Sequence, residues 1–260
     1  MLRVCANLTM MFQEVPFLER FAAAAHAGFS GVEYVGAYDY PLSEVASRLW
    51  DAGAQQVLMN MPAGNWREGE RGIAALAHRR DDFQRSIDVA LEWAKVLGCT
   101  RLHCMSGIVP PGSVRQDCLT MYNENLALAA ERLGPEGITL LVEPINPFDI
   151  PGYLINTTGE AMAVIAATGA DNVKLQFDVY HAQRMEGDLA RLFTRLLPHI
   201  AHVQIADNPG RHEPGSGEIA YAFLLRHMAQ SGYQGWVGCE YIPLRGTLEG
   251  LRWMNMLKDP

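Results

Sequence analysis

Cysteine is scarce, and no two cysteines are spaced for a metal or a disulfide framework. Five occur in 260 residues: Cys5, Cys99, Cys104, Cys118 and Cys239, an odd number with no Cys-x-x-Cys, three of them in apolar strand-like runs. Disulfide scaffolds and thiolate zinc sites are therefore disfavoured, and a reducing compartment is expected. Basic residues are in deficit, 21 against 29 acidic for a formal net charge of -8, and they are scattered. That distribution argues against a nucleic-acid groove, although an acidic chain can still hold a local basic patch. No apolar run reaches about 18 residues, and the N-terminus lacks a secretory h-region and cleavage pattern. The expectation is a soluble, cytoplasmic protein with no membrane partner. No Gly-x-Gly-x-x-Gly follows the first strand and no Walker-type glycine-lysine loop occurs, which removes the main motif support for an open nucleotide-binding sheet.

What is present is an apolar fraction of 49%, enough for a sizeable core, arranged in a repeating order. Short strand-like runs are expected at residues 2–8, 31–35, 55–61, 101–105, 138–143, 173–178, 200–206 and 235–240. Helix-spaced stretches follow them at 16–26, 41–52, 81–97 (capped by Asp81 or Asp82), 117–133, 158–169, 189–197, 219–231 and 247–257. Eight strand–helix units with no linker or low-complexity tract imply parallel pairing. At this length they favour one (β/α)8 TIM-barrel domain over residues 1–260 rather than an open doubly wound sheet. Residues 63–80 exceed an ordinary βα connection. They carry glycines at 64, 69 and 72 and Trp66, and read either as a surface excursion or as a lid whose Trp66 covers a ligand.

Alternation along the strands gives the polar residues a direction. Val173, Leu175 and Phe177 oppose Lys174, Gln176 and Asp178. Val203 and Ile205 oppose His202 and Gln204, Val237 and Cys239 oppose Gly238 and Glu240, and Leu102 and Cys104 oppose Arg101, His103 and Met105. In a barrel the apolar set faces the covering helices, so the polar set points inward, where charges need partners or a metal. Lys174 and Arg101 are expected to pair with acids inside the barrel or near its lower rim. Glu143, Asp178, Gln204 and Glu240 close four successive strands at the end where barrels build their sites. Three carboxylates and an amide oxygen form a hard, oxygen-only set suited to Mg²⁺ or Mn²⁺; an internal hydrogen bond is the plain alternative for Gln204. His181, His103, Arg211, His212, Asn60 and Trp66 are the candidate substrate contacts. The histidines and Arg211 have ordinary alternatives: capping or packing for His181, a satisfied core position for His103, solvent exposure for Arg211 and His212. Arg211 or His212 could attract a substrate carboxylate. Glu218 reads as turn chemistry.

Four segments carry a resemblance: Leu141-Val142-Glu143-Pro144-Ile145-Asn146, Phe177-Asp178-Val179-Tyr180-His181, the run from Val203 to Gly215, and Gly238-Cys239-Glu240-Tyr241. Together they resemble the hydroxypyruvate isomerase family, which includes the 2-oxo-tetronate isomerases, within the xylose-isomerase-like barrels. The likeness spans essentially the whole chain, and the Val203–Gly215 run is its most specific part. It implies a divalent metal at the C-terminal face of a TIM barrel, with Glu143 and Glu240 matching the paired catalytic glutamates. With Asp178 and Gln204 those two also match the metal positions. Related ketose 3-epimerases usually have histidine in place of Gln204. The implied reaction interconverts an α-hydroxyaldehyde and an α-hydroxyketone of a small hydroxy-oxo acid: hydroxypyruvate to tartronate semialdehyde, or 2-oxo-tetronate to 3-oxo-tetronate. Proton transfer through an enediolate and a hydride shift both lead there. A ketose 3-epimerase, a metal-dependent lyase or dehydratase, and a non-catalytic sugar-acid binder are the alternatives. A homo-oligomer is compatible with the barrel.

Overall fold

The computed structural model describes residues 2–257. Among them are eight strands: β1 (Arg3–Asn7), β2 (Gly31–Tyr34), β3 (Gln55–Asn60), β4 (Arg101–His103), β5 (Thr139–Val142), β6 (Val173–Asp178), β7 (Ile200–Ile205) and β8 (Trp236–Cys239). Their order in the sheet is their order in the chain, closed as a barrel. The α-helices are α1 (Arg20–His26), α2 (Leu42–Asp51), α3 (Arg80–Leu97), α4 (Arg115–Leu133), α5 (Thr158–Thr168), α6 (Val179–Met185), α7 (Leu189–Leu196) and α8 (Tyr221–Gln230). No helix among the described residues is long and apolar enough to cross a membrane. All five cysteines are buried and unbridged.

The chain divides into two compact units, Met1–Val57 with Phe177–Pro260, and Leu58–Gln176. In the first, β1 lies between β2 and β8 and β7 pairs with β8, all parallel, with registers Ala6↔Val32, Val4↔Val237 and Val203↔Val237. The apolar face turns to the helices as alternation requires. Phe177 meets Phe193 of α7 edge-on at 5.8 Å, and Phe193 meets Tyr233 at 5.8 Å. In the second unit β3 to β6 pair in sequence, also parallel. Its α5 opens with a reciprocal cap, Thr157 accepting from the Glu160 backbone while the Glu160 side chain accepts from that of Thr157.

The expected strands hold to within a few residues, and four details differ. β5 ends at Val142 rather than Glu143, because Pro144 has no N–H with which to continue a ladder. α3 begins at Arg80 with no side-chain cap; Asp81 and Asp82 sit in its first turn, where their charge suits the helix dipole, and Asp82 pairs with Arg79 at 2.5 Å. The stretch after β6 forms α6, an element the periodicity did not separate. The last segment is a 3₁₀ run, Glu249–Leu257, rather than an α-helix. Arg101 and Lys174 are half-buried near the starts of their strands.

Candidate active site

The first unit brings Asp178, His181, Arg211 and Glu240 together. Asp178, the last residue of β6, turns one carboxylate oxygen back over α6, where Oδ1 accepts the backbone N–H of Tyr180 at 2.7 Å and of His181 at 3.4 Å. Aspartate is favoured at this position because a helix start leaves such N–H groups without partners. Its Oδ2 lies 3.6 Å from His181 Nε2 and 3.8 Å from Arg211 Nη2, beyond hydrogen-bond length. Glu240 follows β8 directly. Its Oε2 accepts from Arg211 Nη2 at 2.7 Å, and its Oε1 accepts from Asn7 Nδ2 at 3.1 Å. Ligand-type atoms of Asp178, His181 and Glu240 all lie within 4.8 Å of one another, and the three residues are buried.

Arg211 reaches this cluster from a shaped turn. Asp207 holds the loop by accepting backbone N–H groups of Asn208, Gly215 and Ile219 at 3.0, 2.8 and 3.0 Å. Arg211 itself has φ 55°, and its guanidinium lies 5.1 Å from the Tyr180 ring centroid. His212, in the same turn, points elsewhere: its Nδ1 is 2.8 Å from the Ile242 carbonyl. Glu218 takes hydrogen bonds from Gln183 and Asn208, in keeping with a structural place in the loop.

The electrostatics follow from burial. Desolvation pushes Glu240 up, Arg211 pulls it down, and the nearby Asp178 and Glu33 charges raise it again, leaving its pKa at about 8. Asp178 is also raised, by burial first, against the opposing pull of Arg211, the Tyr180 and His181 N–H groups and a hydrogen bond with Glu240. Two buried carboxylates that resist ionising side by side suit a cation. With an imidazole adjacent, they fit a hard divalent ion held mainly by oxygen.

Gln204 lies on the same sheet face, and its Nε2 donates to Glu33 Oε1 at 2.8 Å, so the internal hydrogen bond expected as its alternative role is present. Glu33, Asn7 and Cys5 were missed as functional neighbours, and His202 was noted only as part of a polar face. Glu33 is held below the usual carboxylate range: burial works to raise it, but the His202 charge and hydrogen bonds from His202, Gln204 and Asn7 outweigh that. A single acid inside the apolar run Gly31–Tyr34 was the available signal.

The second unit holds Glu143, one residue beyond β5, with Oε2 3.4 Å from His103 Nδ1 and both side chains buried. Asn60 ends β3 in register with His103 and is buried. Trp66 is exposed, and the Arg71 guanidinium lies 3.9 Å from its ring centroid.

The model of the xylose isomerase-like TIM barrel family matches residues 21–257. The 2-oxo-tetronate isomerase of Cupriavidus necator is 46% identical over 253 residues, 97% of each chain. The hydroxypyruvate isomerase of Escherichia coli K12 is 46% identical over 255 residues, 98% of this chain and 99% of that one. The chain belongs to the hydroxypyruvate/2-oxo-tetronate isomerase group of the xylose-isomerase-like TIM barrels. A crystal structure from Brucella melitensis titled AP endonuclease, family 2, superposes with a TM-score of 0.95 at 47% identity over 98% of both chains. A 3-keto-D-glucoside 4-epimerase from E. coli shares the fold at a TM-score of 0.76 and 22% identity.

Proposed function

We propose that this chain interconverts the aldehyde and ketone forms of a short hydroxy-oxo acid, of the hydroxypyruvate or 2-oxo-tetronate kind, with a divalent metal. The observation that carries the proposal is the buried Asp178–Glu240 carboxylate pair with Arg211 against it. Glu143, Asp178, Gln204 and Glu240 would hold Mg²⁺ or Mn²⁺, an assignment supported by their oxygen donors and by the group to which the chain belongs. A bound divalent ion supplies positive charge to stabilise an enediolate.

The chain's own residues do the rest. Glu143 and Glu240 form the acid/base pair, one removing a carbon-bound proton and the other returning a proton to the neighbouring carbon, while the hydroxyl proton passes to the former carbonyl oxygen. Burial and the Asp178 and Glu33 charges raise Glu240 in the metal-free protein, and a bound cation would favour its carboxylate, the form that accepts a proton. Arg211 brings positive charge for the substrate carboxylate, and His181, His103 and Asn60 bound the substrate with buried polar groups. In this reading residues 1–260 act as one barrel domain and Trp66 shields the mouth.

The deciding assay offers metal-loaded protein hydroxypyruvate, 2-oxo-tetronate and free ketoses in deuterated water and identifies the products. The expected product is the isomer of an acid substrate, with deuterium on carbon. Glu143→Gln and Glu240→Gln should each lower turnover on the order of 10²–10⁴-fold. Loss of water instead of isomerisation would mark a lyase, and an epimer of a free ketose would mark an epimerase. Full isomerase activity in either folded variant would remove the proton-transfer roles.

A further inference from the structure

Beside the carboxylate pair, the first unit carries another buried cluster that the proposed chemistry leaves unused. Glu33, in β2, is completely buried. Its Oε2 lies 2.7 Å from His202 Nε2 and 3.3 Å from Cys5 Sγ; its Oε1 lies 2.8 Å from Gln204 Nε2 and 3.0 Å from Asn7 Nδ2. Space for the carboxylate is kept by Gly238, where an added Cβ would come within 2.3 Å of Glu33 Oε2.

The ligand-type atoms of Cys5, Glu33 and His202 also lie within 4.8 Å of one another, so a metal there is the first alternative to weigh. The 2.7 Å separation of His202 Nε2 and Glu33 Oε2 is a hydrogen bond. Two ligands each about 2 Å from a tetrahedral ion would stand farther apart. Both oxygens of the Glu33 carboxylate are taken up by these hydrogen bonds.

What it does instead follows from donors and acceptors. A carboxylate accepts, and a primary amide donates only from its nitrogen. Gln204 must therefore turn Nε2 towards Glu33, which puts Oε1 on the other side of the amide. Asn7 is fixed in a similar way. The Thr9 N–H donates to Asn7 Oδ1 at 3.0 Å, so Asn7 Nδ2 is shared between Glu33 Oε1 and Glu240 Oε1. One buried carboxylate thus sets two groups of the site.

We propose that Glu33 is a positioning residue, which orients Gln204 so that its amide oxygen faces the metal and, through Asn7, fixes Glu240. This inference rests on the metal site proposed above. Outer partners that orient metal ligands are typically worth about 10–100-fold in affinity.

The test is Mn²⁺ binding to the metal-stripped full chain, followed by the electron paramagnetic resonance signal of free Mn²⁺, with thermal melting as the check on folding. Glu33→Gln should weaken binding about 10–100-fold. Gln204→Glu should bind no more tightly than wild type despite its added negative charge, because the new carboxylate meets Glu33. The double variant Glu33→Gln/Gln204→Glu should recover much of the loss. The amide introduced at position 33 can then donate to the carboxylate at position 204 and accept from His202. Recovery stays incomplete, since Asn7 Nδ2 would face that amide's nitrogen. A folded Glu33→Gln protein with wild-type affinity overturns the inference. So does a Gln204→Glu protein that binds more tightly, which decides the matter if Glu33→Gln does not fold. A second Mn²⁺ per chain, lost on Glu33→Gln, would make Glu33 a ligand and overturn the positioning role. Wild type that binds no Mn²⁺ overturns the metal site itself, an outcome distinct from tight binding indifferent to Glu33.

Discussion

Glu240 shows how one side chain's chemistry is set by its surroundings. Burial and the neighbouring Asp178 and Glu33 charges favour its protonated form, Arg211 only partly offsets them, and its pKa lies at about 8 in the metal-free protein. A metal needs the carboxylate, so binding below pH 8 must displace a proton. Mn²⁺ affinity should therefore rise by up to about tenfold per pH unit towards pH 8 and then level off. The sign for stability is opposite. Because the folded pKa is raised above the ordinary 4.5, this group's contribution to metal-free stability is full below about pH 4.5. It is lost as pH rises through about 8. Mn²⁺ titrations and melts at several pH values test both slopes, and Glu240→Gln should flatten them; a pH-independent wild-type affinity would refute the account. The meeting of Asp178 and Glu240 was legible in the sequence because each puts an acid at the end of an apolar run. Glu33 was not, because its meaning lies in donors from His202 and Gln204, far along the chain, and nothing in Val32-Glu33-Tyr34 announces them.

At the scale of elements, the connection from β3 to α3 turns out to have two parts. Residues 64–69 are exposed, whereas 72–76 are buried and pinned by Ala75 N–H to Ser106 O at 2.9 Å and Asn125 Nδ2 to the Ala74 carbonyl at 2.7 Å. Both readings of this stretch, excursion and lid, therefore concern only its outer part. Gly72 joins the parts at φ +109°, with an added Cβ only 2.4 Å from the Met105 carbonyl oxygen; Gly69 has φ +89° and open space. Gly69→Ala should cost about 1 kcal/mol from backbone conformation alone. Gly72→Ala should cost about 3 kcal/mol or more, because strain and a backbone clash combine. Urea unfolding of the two variants measures the contrast, and equal losses would mean the inner part is not pinned. Strand positions were readable because alternation and stop signals are local. α6 was not, since it has only seven residues and starts on the very carboxylate assigned to the site. The start of α3 was misplaced because an acid in a first turn and an acid at a cap look alike in sequence.

For the molecule as a whole, charge bears on two names found among its relatives. The Brucella melitensis structure is titled an AP endonuclease, while the C. necator and E. coli proteins are named as isomerases. Binding DNA means neutralising several phosphates with lysine and arginine, and it weakens steeply with salt in proportion to their number. This chain carries a net charge of -8, and Arg211, the cation at the carboxylate cluster of the first unit, is held by Glu240 at 2.7 Å. A phosphodiester backbone approaching that cluster would meet the Asp178 and Glu240 carboxylates and would ask for several cations there, where Arg211 supplies a single positive group. A small acid asks much less, a single positive group for one carboxylate. The expected outcome is therefore asymmetric. With Mn²⁺ and about 50 mM salt, an abasic-site duplex should neither shift in a gel nor be cut at micromolar protein, while the same sample isomerises a hydroxy-oxo acid. Cleavage of the duplex that is lost in Glu240→Gln would place phosphodiester chemistry in this site and reverse the assignment.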